Sequence, residues 1–136
     1  MNNYLELQDI DNNIPIKVKL SIIGSPDFSI GINNKHWDNQ TDVIIDHKLL
    51  NPIDIEIQLR NKHYTLEYET AVIINQLSID NIDLIPHYDY LANYQNDHGN
   101  NDPTSYLGFN GKWTLTIDRP FYQWLHQVQG QGWLLT

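Results

Sequence analysis

"PIDIEIQLRNKHYTLEY", Pro52 to Tyr68, sets Ile53, Ile55, Ile57 and Leu59 on one side and Asp54, Glu56, Gln58 and Arg60 on the other. A side-chain period of two belongs to an extended strand with one wet face and one dry face. Asn61-Lys62 then predicts a turn, and Tyr64, Leu66 and Tyr68 read as the return arm of a hairpin. Upstream, "IPIKVKLSI" repeats the pattern with Ile14, Ile16, Val18, Leu20 and Ile22 on one face. "FSIGINNKHW" adds Phe28, Ile30 and Ile32 before an Asn33-Asn34 turn suited to positive φ, with His36 and Trp37 on the way back. Downstream, a strand runs from Val72 to Ile79, turns at Asp80-Asn81, and returns briefly to Ile85 before Pro86. A last strand carries Trp113, Leu115 and Ile117 on one face.

Helical period occurs once. Phe121, Trp124, Leu125 and Val128 fall at i, i+3, i+4 and i+7, which predicts a short amphipathic helix from about Arg119 to Gln129. Asp118 is placed to cap it, Pro120 to occupy its first turn and Gly130 to stop it. Strands separated by Gly, Asn, Asp and Pro turns, with one late helix, predict a mostly β protein: an antiparallel β-sandwich with one short C-terminal α-helix. No repeat, linker or charge block divides the chain, so residues 1–136 read as a single domain.

Composition narrows the function classes. Eight Lys and Arg stand against 17 Asp and Glu, a net charge of -9, which opposes nucleic acid and anionic lipid as partners. Neutral glycans, cations and other protein subunits remain. Without cysteine there is neither a disulfide framework nor a thiolate metal site. No apolar run is long enough for membrane insertion, and "MNNYLELQDI" lacks the basic start and apolar core of a signal peptide. Ile and Asn are common and Ala and Arg scarce, a bias that AT-rich coding alone would produce.

The stretch "HYDYLANYQNDHGNNDPTSYLGFNGKW", His87 to Trp113, has no period and is the natural place to look for a functional loop, at about residues 88–112. Asp97, Asn100, Asn101 and Asp102 offer the hard oxygen ligands that calcium prefers, around a flexible Gly99, although their spacing is not that of an EF-hand. The same residue types also make an ordinary solvated loop. "DIDNN" at Asp9 and "DNQTD" at Asp38 carry the same composition more weakly. Tyr88, Tyr90, Tyr94, Tyr106 and Trp113 could stack on sugar rings while amides and carboxylates take the hydroxyls. Equally, they could anchor the loop or build a subunit interface. His36, His47, His63, His87, His98 and His126 form no metal-binding or catalytic pair, and no serine sits in a nucleophile elbow. The expectation is a protein that is not an enzyme.

The order "FSIGINNKHW", "NPIDIEIQLRNKHY", "AVIINQLSIDNIDL" resembles the calcium-dependent xylan-binding type of carbohydrate-binding module over the middle half of the chain. That resemblance implies a jelly-roll-like sandwich holding sugar through calcium, with Asp97 and Asp102 as ligands, and a place within a polysaccharide-acting enzyme. The segment "PFYQWLHQVQGQGWLL" resembles the ends of small tailed-bacteriophage virion proteins. It implies a tail, fibre or decoration subunit, located in the virion or outside the cell, that binds cell-surface glycan or packs on its neighbours. Trp133, Leu134 and Leu135 at the terminus predict burial in the domain or self-association.

Overall fold

A computed structural model describes residues 13–62, 69–85, 87–88, 91–97 and 105–134, with side chains through 129. It is a two-sheet antiparallel β-sandwich with one C-terminal helix. The first sheet contains β1 (Asn13–Ile23), β4 (Asp42–Lys48), β6 (Ala71–Ile79), β7 (Ile82–Asp83) and β9 (Tyr106–Leu107). Its order is β4-β1-β6, with β7 and β9 sharing the far edge of β6. The second sheet runs β3-β2-β5-β10-β8, from β2 (Asp27–Ile32), β3 (Lys35–Asp38), β5 (Ile53–Arg60), β8 (Asn93–Asn96) and β10 (Gly111–Ile117).

The alternation read from Ile53 to Leu59 is the alternation of burial: all four apolar residues are buried, while Asp54 is exposed and Glu56, Gln58 and Arg60 are half-buried. Register aligns these positions across the whole sheet. Trp37, Ile30, Ile57, Trp113 and Tyr94 form one inward row over five strands. Ile14, Ile16 and Val18 of β1 and Leu77 and Ile79 of β6 face them from the other sheet, giving one continuous apolar core. Each such residue contributes about 1.5–3 kcal/mol through area removed from water.

The strand from Val72 to Ile79 departs from strict alternation because β6 carries an extra residue. Lys19 opposes Gln76 but Leu20 opposes Ile74, so Asn75 is unpaired and both Ile74 and Leu77 still reach the core. The turns explain part of the Asn content. Among the described residues, every non-glycine with positive φ is Asn or Asp: Asn33, Asn39, Asn61, Asp80 and Asn81. Asp80 and Asn81, at φ 51° and 64°, make the two-residue turn between β6 and β7 that matches strand twist.

Two expectations are corrected, and a third falls outside the described residues. β5 pairs with β2 along one edge and β10 along the other, and the hairpin return expected at Tyr64, Leu66 and Tyr68 lies outside the described residues. The helix, α1, spans Phe121–Leu134 rather than ending at Gln129, so Gly130 does not stop it. Asp118 does not cap it either, because its carboxylate takes the Arg119 guanidinium at 2.8 Å, while the Pro120 carbonyl accepts the Trp124 N–H at 3.0 Å. Phe121, Trp124 and Leu125 are buried as their period predicts. The side chains of Trp133, Leu134 and Leu135 lie outside the described residues.

Candidate functional site

The region from Tyr88 to Lys112 is not one long loop. It contains β8, paired to β10, and β9, paired to β6, so its described parts belong to the two sheets. This divides the aromatic residues. Trp113 is fully buried and Tyr94 is 2% exposed, both in the inward row, so neither presents a ring face to a sugar. Tyr94 instead donates its hydroxyl to the Phe109 carbonyl at 2.6 Å and accepts the Phe109 N–H at 3.0 Å. Burial pushes its ionisation upward. Tyr88 is half-buried, set edge-on to Trp124 at 5.9 Å, and its hydroxyl accepts from Gln129 at 3.2 Å. Tyr106 alone of the described four keeps substantial exposure, at 42%. Tyr90, Asn100, Asn101 and Asp102 lie outside the described residues. Asp97 is exposed in the turn after β8, and its backbone N–H donates to the Asn110 carbonyl at 3.1 Å. Among the described residues no group of three or more His, Asp or Glu side chains is placed to hold a metal.

Tyr106 belongs to a braced polar cluster that the sequence did not reveal. Lys62, just beyond β5, has a nearly buried side chain whose ammonium donates to the Gly108 carbonyl at 2.6 Å and stands 3.5 Å from the Glu69 carboxylate. Its backbone N–H donates to the Asn110 side-chain oxygen at 2.7 Å, and the Asn110 amide donates back to the Lys62 carbonyl at 2.9 Å. Asn110 thus imitates one more rung of β-ladder between chain segments 48 residues apart. The Tyr106 hydroxyl donates to Glu69 at 3.0 Å. Burial, then the bond to Glu69 and its negative charge, pushes the phenol upward, so Tyr106 stays neutral and donating.

Glycines set the close approaches. A Cβ on Gly108 would meet the Tyr106 ring at 3.0 Å, so the ring lies against bare backbone. A Cβ on Gly111 would come within 2.2 Å of the Gln95 carbonyl and 2.6 Å of the Asn96 Cα, so only glycine lets β8 dock there. The result is an aromatic ring held at its hydroxyl and on its Gly108 side, beside a carboxylate and a desolvated ammonium. Such a ring can receive an apolar sugar face without first being ordered.

A second polar group sits beside the β2 and β3 end of the second sheet. Asp27 accepts from Asn61 at 2.8 Å and Arg60 at 2.9 Å, and these bonds hold its carboxyl below the usual range. Arg60 also reaches the Phe28 carbonyl and Asp38, the latter at 3.4 Å, and so ties β5 to both β2 and β3. Both oxygens of the Asp27 carboxylate are thus engaged within the protein.

Comparison with known families, curated proteins and solved structures finds no match for the chain. Among the described residues no helix is long and apolar enough to cross a membrane.

Proposed function

We propose that this chain is a non-catalytic β-sandwich that binds a neutral glycan at the end where Lys62, Glu69, Asp97 and Tyr106 gather, as a subunit of a virion or another extracellular assembly. The observation that carries the reading is the Tyr106 ring, exposed yet held between Glu69 and Gly108. Aromatic stacking supplies the apolar contact and the neighbouring polar groups supply direction for hydroxyls. The net charge of -9 favours a neutral ligand over an anionic one. The virion setting is supported by the C-terminal likeness and by composition, and self-association belongs to the same reading. Calcium enters through Asp97 with Asn100, Asn101 and Asp102.

A glycan array followed by calorimetry on the strongest hit tests this. Tyr106→Ala should abolish binding, whereas Tyr106→Phe keeps the ring, loses the Glu69 bond, and should weaken binding about three- to tenfold, the range of one hydrogen bond. A blank array, or a hit unaffected by Tyr106→Ala, removes the glycan reading. Thermal melts with calcium and with chelator, on the natural chain and on Asp97→Ala and Asp102→Ala, test the metal. Calcium a hundredfold above its dissociation constant would add about 2.7 kcal/mol.

A further inference from the structure

The outer edge of the first sheet has the chemistry of a self-complementary interface. β4 is an end strand: β1 holds one edge, and among the described residues nothing pairs with the other. The Leu20 N–H donates to the Thr41 carbonyl at 2.8 Å, in line with the register that pairs Val18 with Val43 and Ile16 with Ile45. Hydrogen-bonded pairs alternate along an antiparallel ladder. Val43, Ile45 and His47 therefore spend their backbone groups on β1, while those of Asp42, Ile44, Asp46 and Lys48 point to the open side. An open row of this kind is a template for another strand.

Side chains on this strand add an apolar contribution. Ile44 is 63% exposed, more than any other large hydrophobic side chain described, and Ile45 is only partly covered by the core. Ile45 also borders a concavity of about 220 Å³ between β4 and the Asn33-Asn34 turn, where the sandwich is open at its side. That volume is below the usual range for a ligand pocket. The end of β4 is fixed rather than frayed, because His47 Nε2 lies 3.3 Å from the Asn51 carbonyl and 3.1 Å from the Pro52 carbonyl and so carries the proton it donates.

We propose that β4 pairs with β4 of a second copy, antiparallel about a two-fold axis through Ile45, joining the two first sheets into one. The occupant follows from charge. Centred on Ile45, the pairing sets Asp42 against Lys48 of the second copy, twice by symmetry, and Ile44 against Asp46. Moving the axis to Ile44 would oppose Asp42 to Asp46, and moving it to Asp46 would oppose that carboxylate to its own copy. The Ile45-centred register faces opposite charges without facing like ones while pairing every residue of β4; centred on His47, Asp46 would again face Lys48, but only residues 46–48 of each strand would overlap. It also leaves outward-pointing backbone groups facing each other and brings the two Ile44 side chains diagonally together over the axis. The interface deepens the self-association part of the reading above and is independent of glycan binding at Tyr106.

Sedimentation equilibrium on the full chain over a concentration series tests it, with circular dichroism as the fold control. A reversible dimer is expected. Asp42→Lys should weaken it roughly tenfold or more, because both symmetry-related pairs become repulsive, and Asp42→Lys with Lys48→Asp should restore it. Ile44→Pro removes an outward N–H that β1 does not use, so it should give a folded monomer. A natural chain that stays monomeric at every concentration overturns the interface, as does a dimer indifferent to Asp42→Lys. A dimer that forms only after residues 2–12 are deleted also overturns it, by assigning the edge to the chain's own N-terminal segment. Glycan binding by a monomeric natural chain would remove this interface and leave the Tyr106 reading standing.

Discussion

β5 and β8 flank β10 on opposite sides, and they hold it for different reasons. β5 pairs with β10 from Leu59–Gly111 to Ile53–Ile117, and every second residue of both strands enters the core. β8 pairs only from Asn96–Gly111 to Asn93–Thr114 and buries one large side chain, Tyr94. Its place depends on particular contacts: the Tyr94 hydroxyl on Phe109, the Asp97 N–H on Asn110, and the bare Cα of Gly111. The first strand is held by a repeated pattern in which each member does the same work. The second is held by a few residues, none replaceable by its type alone. A binding surface fits the second kind of structure, because short strands leave side chains such as Tyr106 at the surface while fixing their bases.

The largest expected effect tests the patterned side. Ile57→Ala removes the centre of the row linking Trp37, Ile30, Trp113 and Tyr94, and should cost about 2–5 kcal/mol in denaturant unfolding, with both sheets lost in one transition. A loss confined to the second sheet would show that the two sheets do not share one cooperative core. Gly111→Ala should cost less, about 1–3 kcal/mol by overpacking, and its effect should be local. Amide exchange should accelerate at Gln95 and Asp97, whose N–H groups face β10, while Ile16 and Ile79 keep their protection. Uniform acceleration would mean that β8 is as integral as β5.

The smallest effect concerns the contact between α1 and the turn after β6. The Tyr122 hydroxyl donates to Asp80, and this bond, with burial, pushes the phenol from its ordinary value near 10 up to about 12. A folded-state value above the unfolded one means the contribution is complete below about pH 10 and fades as pH rises toward 12, where the folded-state phenol loses the proton. Because Tyr122 is 44% exposed, solvent screening keeps the contribution small. Absorbance titration of tyrosinate should lose a step near pH 12 in Tyr122→Phe, and stability between pH 10 and 12 should flatten. An unchanged titration would break the assignment.

Much of the sandwich was legible because a period of two needs no partner to be recognised. Ile14 to Leu20, Phe28 to Ile32, Ile53 to Leu59 and Trp113 to Ile117 announce their inward faces by spacing alone. β4 was not legible: Val43, Ile44 and Ile45 form an apolar run in which only the pairing with β1 decides that Ile44 faces out. β9 has two residues and β8 contributes one apolar side chain, too little to display any period. Lys62, Glu69 and Asn110 carry no local signal. A lone lysine after a strand and an asparagine before a glycine in a turn read as solvent-facing residues until their partners are known.

By itself, then, the order of residues determined the class of fold, most of the strands, the helix face built from Phe121, Trp124 and Leu125, and the turns where Asn and Asp accept positive φ. These are properties of neighbours within a few positions, governed by sterics and by partition between water and core. Only the tertiary structure decided that Trp113 and Tyr94 are core while Tyr106 is surface, and that Lys62 reaches Gly108 and Asn110. It alone left β4, among the described residues, with one edge open. Each of these depends on which strand lies alongside which, a choice made by pairing across dozens of residues, where one position of register moves a side chain from one face to the other.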